Sequence, residues 1–156
     1  MQRKFIGGKN MKKELSVALN KYLANLGVEY IKLHNLHWNV VGINFKAIHE
    51  YYEGLYDGIS ASLDSVAELL KMHGEVPAAS LKEYLALSDV EELPSVEVKG
   101  KESLEIVLKD FESFKALAES IRKEADEEDL YDVVSAMEGD LEQFNKSIWF
   151  IKAMLK

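Results

Sequence analysis

Three of the four histidines in this 156-residue chain fall in one stretch that is also rich in carboxylates. From His34 to Glu68 it carries His34, His37, His49, Glu53, Asp57, Asp64 and Glu68. Imidazole nitrogen together with carboxylate oxygen suits Fe(II), Mn(II) or Zn(II), and the carboxylates can also hold Fe(III) after oxidation. On a helix, His49 and Glu53 are i, i+4 neighbours, as are Asp64 and Glu68, so each pair offers two ligand side chains from one face. His37, a short connection earlier, can add a third donor. The chain has no cysteine, which excludes thiolate catalysis, disulfides and iron-sulfur ligation. Neither H-E-x-x-H nor a pair of Glu-x-x-His motifs occurs, which disfavours a zincin protease and a di-iron centre enclosed in one bundle.

Distance decides how these ligands combine. His49 and Asp64 are 15 residues apart, about 22 Å along a helix axis, so one copy of the helix cannot bring both pairs to one ion. Either the pairs are unrelated, or two copies packed antiparallel about a twofold axis bring them together, with two equivalent sites per dimer. The expected site is His37, His49 and Glu53 facing Asp64 and Glu68 of the partner subunit. The midpoint between the pairs lies near residues 58 and 59, where Gly54, Gly58, Ala61 and Ser62 leave room for close helix approach.

The positioning elements follow from periodicity. Leu15, Leu19, Tyr22, Leu23, Leu26, Tyr30, Leu33 and His37 recur at spacings of three and four, predicting a helix over residues 12–39. Gly27 interrupts it at a cost of about 1 kcal/mol relative to Ala. Residues 40–44 read as a tight connection, with Gly42 free to adopt positive φ and Asn44 placed to cap the next helix. That helix runs to Met72, stopped by Gly74 and Pro77. Stripes from Leu104 to Ile121 and from Leu130 to Leu155 predict two more. Residues 75–98 are too many for a hairpin loop, long enough to cross the bundle, and carry a short helix around 81–85. The expected fold is all-α, a ferritin-like four-helix bundle with a long crossover. Its domain spans residues 12–156, behind a short basic tail over residues 1–11.

Charge is unevenly spread. The formal net charge is −8, yet residues 1–13 hold Arg3, Lys4, Lys9, Lys12 and Lys13 with no acid. Glu119, Glu124, Asp126, Glu127, Glu128, Asp129 and Asp132 concentrate the opposite sign at a helix junction, where a symmetric assembly could focus them into a cation entrance. No segment approaches the roughly 18 unbroken apolar residues of a membrane span, and a cytoplasmic location is expected.

The run His37-Trp38-Asn39-Val40-Val41-Gly42-Ile43-Asn44-Phe45, followed by Ile48-His49-Glu50 and Asp64-Ser65-Val66-Ala67-Glu68, closely resembles the Dps mini-ferritins. The resemblance extends over the whole chain, including the crossover and Ile148-Trp149-Phe150-Ile151. It implies a hollow homododecamer that oxidises Fe(II) at inter-subunit ferroxidase sites, preferably with hydrogen peroxide, and stores the ferric product, with no organic cofactor. On the family pattern His37, His49, Asp64 and Glu68 are metal ligands, and Glu53 stands where Asp is common. The resemblance also places iron pores near the acidic cluster, with Asp126, Asp129 and Asp132 as candidates. His34 is open between supporting the site and simple packing; Trp38 and Tyr30 are expected to pack.

The competing reading is a Dps-like nucleic-acid-packing cage with a weak or absent metal site. Twelve basic tails favour it through multivalent phosphate contact. Twelve bodies at −8 each carry −96 and oppose it, so DNA binding through the tail is expected to be weak.

Overall fold

The structure is a computed structural model and describes residues 10–156. The basic tail expected over residues 1–11 lies almost wholly outside the described residues. Met11 is buried, and the Lys12 N–H donates to Glu128 Oε2 at 3.0 Å where the bundle begins.

The elements in chain order are α1 (Lys13–Asn39), β1 (Val40–Val41), α2 (Phe45–Met72), α3 (Leu81–Leu87), β2 (Val98–Lys99), α4 (Gly100–Glu127) and α5 (Tyr131–Met154). Each long helix turns its apolar stripe inward. Leu15, Tyr22, Leu26 and Leu33 of α1 meet Tyr52, Ile59 and Leu70 of α2, Phe111, Phe114 and Ile121 of α4, and Met137, Phe144 and Ile151 of α5 in one core. Phe144 lies 5.2 Å, centroid to centroid, from both Phe111 and Phe114. Burying each such side chain is worth about 1.5–3 kcal/mol, which is what makes the stripe decisive.

Topology is fixed by a two-residue parallel pairing, Val40 with Val98 and Val41 with Lys99. β1 leaves α1 where β2 enters α4, so α4 starts at the end of the bundle where α1 finishes. The chain between α2 and α4 has therefore returned the full length of a helix, and α2 and α4 run parallel. This is the ferritin-like order the loop lengths predict.

The crossover explains Gly27. A Cβ built there would lie 2.5 Å from Tyr84 Cδ2, so α3 can rest on α1 only because the side chain is absent. A capping box holds α3: Ser80 Oγ accepts from the Glu83 N–H at 3.3 Å and donates to Glu83 Oε2 at 2.7 Å. Gly42 adopts the expected positive φ, +123°, and Gly74, the expected stop of α2, has φ +83°. Asn44 departs from expectation: its side chain caps nothing. Its backbone, at φ −96° and ψ 15°, lies outside the extended region from which an N-cap side chain reaches the first turn.

Two polar ties cross the core. Asp140 of α5 accepts from Tyr22 of α1 at 2.7 Å and from Ser62 of α2 at 2.8 Å. Lys32 of α1 pairs with Asp110 of α4 at 2.6 Å, and fully buried Glu29 lies against the same pair.

Candidate metal centre

His37 ends α1 and His49 opens α2, and the tight turn between them brings the imidazoles face to face. Their ring centroids are 3.6 Å apart and their planes 16° from parallel. Each Nδ1 lies 2.7 Å from the other residue's backbone carbonyl oxygen. A carbonyl oxygen only accepts, so both Nδ1 atoms carry the proton and donate. In this tautomer it is Nε2 that holds the lone pair through which an imidazole binds a metal. His37 is buried and His49 half-buried, with Phe45 5.0 Å from the His49 ring.

Glu53 stands one turn beyond His49 and is exposed, as are Asp57, Asp64 and Glu68 farther along α2. Among the described residues no three His, Asp or Glu side chains converge within one subunit to hold a metal ion. The fold thus brings His37 and His49 together and leaves Glu53, Asp64 and Glu68 exposed along α2. Between the two groups, a Cβ added at Gly54 or Gly58 would meet nothing within 4 Å, so the helix surface there is open to close approach.

His34 is embedded in an aromatic cluster. Its Nδ1–H donates to the Tyr30 carbonyl oxygen at 2.7 Å, and its ring stacks on Tyr56 at 3.8 Å and 19°. Tyr56 meets the edge of His37 at 5.3 Å and 89°. The Tyr56 phenol is pushed above its ordinary pKa by partial desolvation, then by Glu53, Asp57 and Tyr30. Tyr56 is the residue that pattern reading passed over. It sits seven residues beyond His49, two turns on, and that spacing was the available signal.

The acidic junction does not converge within one subunit. Asp126 lies 3.4 Å from Arg122, Asp132 lies 2.9 Å from His73 Nε2, and Asp129 occupies the α4–α5 turn at φ 57°.

The model of the ferritin-like domain family matches residues 17–156. Antigen TpF1 of Treponema pallidum is 36% identical over 148 residues, covering 88% of this chain and 78% of that protein. The DNA protection during starvation protein of Brevibacillus brevis is 36% identical over 145 residues, 91% of this chain and 95% of the relative. The crystal structure of TpF1 superposes with a TM-score of 0.92 at 33% identity, covering 96% of this chain and 98% of that one.

Proposed function

We propose a function from one premise: this chain belongs to the ferritin-like family and, within it, to the Dps mini-ferritins. It oxidises Fe(II), preferably with hydrogen peroxide, at sites shared between two subunits, and stores the ferric product in a dodecameric cage. The observation that carries this reading is the reciprocal His37–His49 clasp. It fixes both tautomers and leaves two Nε2 atoms free to bind a metal, with Glu53 one helical turn from His49.

Iron is the substrate. Fe(II) approaches through the acidic junction and binds His37, His49 and Glu53, with Asp64 and Glu68 contributed by a second copy. Two Fe(II) each lose one electron to one hydrogen peroxide, which yields two hydroxides. Pairwise consumption avoids the hydroxyl radical formed when a single Fe(II) reduces peroxide. Ferric ions then hydrolyse and nucleate on carboxylates inside the cage. The protein supplies position and charge, and electron transfer belongs to the metal. The reaction is assigned to the cytoplasm, in keeping with a chain free of cysteine; among the described residues no helix is long and apolar enough to cross a membrane.

The test is anaerobic Fe(II) loading followed by substoichiometric peroxide. Rapid oxidation near two Fe(II) per peroxide is expected, and it is lost in the His49→Ala/Asp64→Ala double variant. Oxidation no faster than a protein-free control, or unchanged in that variant, would refute the reading.

A further inference from the structure

The start of α2 has little local support. Gly42, Ile43 and Asn44 of the preceding turn are all exposed, and Asn44 gives α2 no side-chain cap. Yet the His37–His49 clasp needs that start closely placed, because each Nδ1–H reaches the other residue's carbonyl oxygen at 2.7 Å and such a bond is lost beyond about 3.5 Å.

The placement comes from one short segment, residues 98–103, at the entry to α4. The parallel pairing of Val40 with Val98 and of Val41 with Lys99 fixes the chain that leaves His37. Ile48, the neighbour of His49, is buried against Gly100, where an added Cβ would lie 2.7 Å from Ile48 Cδ1. One turn past His49, the Tyr52 hydroxyl lies 2.6 Å from Ser103 Oγ, which lies 2.8 Å from the Gly100 carbonyl oxygen. That carbonyl only accepts, so the single Ser103 hydroxyl proton goes to it, and the Tyr52 O–H donates to Ser103. Tyr52 and Ser103 are both fully buried and stand 51 residues apart in the chain. Phenylalanine and alanine would fill the same space without direction, whereas a buried hydrogen-bonded chain fixes how α2 slides and turns against α4.

We propose that residues 98–103 are the positioning element of the metal centre, with Tyr52, Gly100 and Ser103 as positioning residues that set the α2 turn carrying His49 against the end of α1. The inference deepens the iron-oxidation reading and rests on it, since it takes the clasp as the imidazole half of that site. Removing the Tyr52–Ser103 bond alters no ligand and no charge. It frees the start of α2 to shift, which lengthens both Nδ1–H···O contacts and misdirects both Nε2 atoms, and groups that orient metal ligands in this way set metal affinity.

The first experiment needs no metal. Solid-state 15N NMR of the assembled, histidine-labelled protein reads the tautomer of each ring and the exchange of each Nδ1 proton with water. Tyr52→Phe leaves Ser103 bonded to Gly100, and Tyr52→Phe/Ser103→Ala leaves neither hydroxyl in place. Both should speed exchange of the His37 and His49 Nδ1 protons severalfold. Ile121→Val trims the core about 27 Å farther along α4, controls for lost stability alone, and should leave those protons unchanged. Unchanged exchange in both Tyr52 variants, or an equal gain in Ile121→Val, overturns the proposal.

In the second arm, the same proteins are titrated anaerobically with cobalt(II), whose visible bands report coordination. The Tyr52 variants should raise the cobalt(II) dissociation constant severalfold, and Ile121→Val should leave it within about twofold. Faster proton exchange with unaltered cobalt(II) affinity overturns the link between the positioning element and the metal centre. No cobalt(II) binding by the wild type, or binding that survives His37→Ala/His49→Ala, refutes the metal-site reading instead, and the metal-free arm then judges the positioning element by itself.

Discussion

Replacing Lys32 by Met should cost the bundle a large share of its stability. The Lys32 and Asp110 side chains are 4% and 11% exposed and 2.6 Å apart, and Glu29 is buried beside them. Two carboxyl groups thus share one ammonium. Glu29 is held well above the usual carboxylate range, chiefly by burial and then by Asp110, against the opposing pull of Lys32. A proton held on Glu29 can be donated to the Asp110 carboxylate, a partner that its buried oxygens otherwise lack. Lys32→Met keeps the volume and removes the charge, leaving Asp110 ionised or forced to bind a proton. Breaking a buried pair on one side costs about 3–5 kcal/mol. At about 2–4 °C per kcal/mol for a chain of this size, the melting temperature should fall by about 6–20 °C. Circular dichroism melts at fixed subunit concentration measure it, since assembly makes the transition concentration-dependent. The Lys32→Met/Asp110→Leu double variant should recover most of the loss, because replacing both partners by apolar groups is often neutral. A single-variant shift below about 2 °C would refute the reasoning, since it would mean that the pair is effectively solvated.

Other predictions follow from the same structure. Because the folded-state pKa of Glu29 exceeds its unfolded value, the folded protein binds more protons, and stability falls as pH rises above the ordinary carboxylate range. Glu29→Gln cannot ionise and should flatten that slope in pH-dependent denaturant melts, gaining stability at neutral pH and none in acid. Gly27→Ala should destabilise by about 1–3 kcal/mol through displacement of Tyr84, although Ala is the better helix former. Gly139→Ala, whose Cβ would meet nothing, should stabilise by about 0.5–1 kcal/mol, and urea melts of the pair test both signs. Twelve chains of 17.7 kDa should give a native mass of about 212 kDa, and a monomer or dimer would contradict the cage. A gel shift with duplex DNA should vanish at physiological salt; retention that depends on residues 1–13 would reverse the assignment of weak DNA binding.

Much of this architecture is legible along the chain, for reasons that also mark where legibility ends. Periodic stripes are local, so α1, α2 and α5 lie within one or two residues of their sequence-derived bounds, α4 extends four residues before and six beyond the stripe that announced it, and Gly42 and Gly74 stop the chain where positive φ is required. The separation of about 22 Å between His49 and Asp64 likewise needs only helix rise, because both residues lie on the unbroken α2. Long-range contact is different. Nothing near Gly27 announces Tyr84, 57 residues on. Nothing near Lys32 announces Asp110, and the pairing of β1 with β2 involves two residues on each side. Asn44 shows the reverse failure: the right residue type at a helix start, in a backbone conformation that keeps its side chain from capping. The His37–His49 clasp lay in between. The sequence shows both rings flanking a tight turn, but only the turn's geometry sets each Nδ1 on the other's carbonyl oxygen.

Subunit complementation tests the central claim most directly. One variant, His37→Ala/His49→Ala, keeps Asp64 and Glu68; the other, Asp64→Ala/Glu68→Ala, keeps both histidines. If each site takes histidines from one subunit and carboxylates from its partner, each variant alone is inactive. Random co-assembly at equal amounts makes half of the dimers mixed, and one of the two sites in each mixed dimer is intact. Co-expressed protein should therefore regain about a quarter of the wild-type rate of peroxide-driven Fe(II) oxidation. Activity no greater than that of the two separate variants would place both ligand sets in one subunit or outside the site, and would contradict the account.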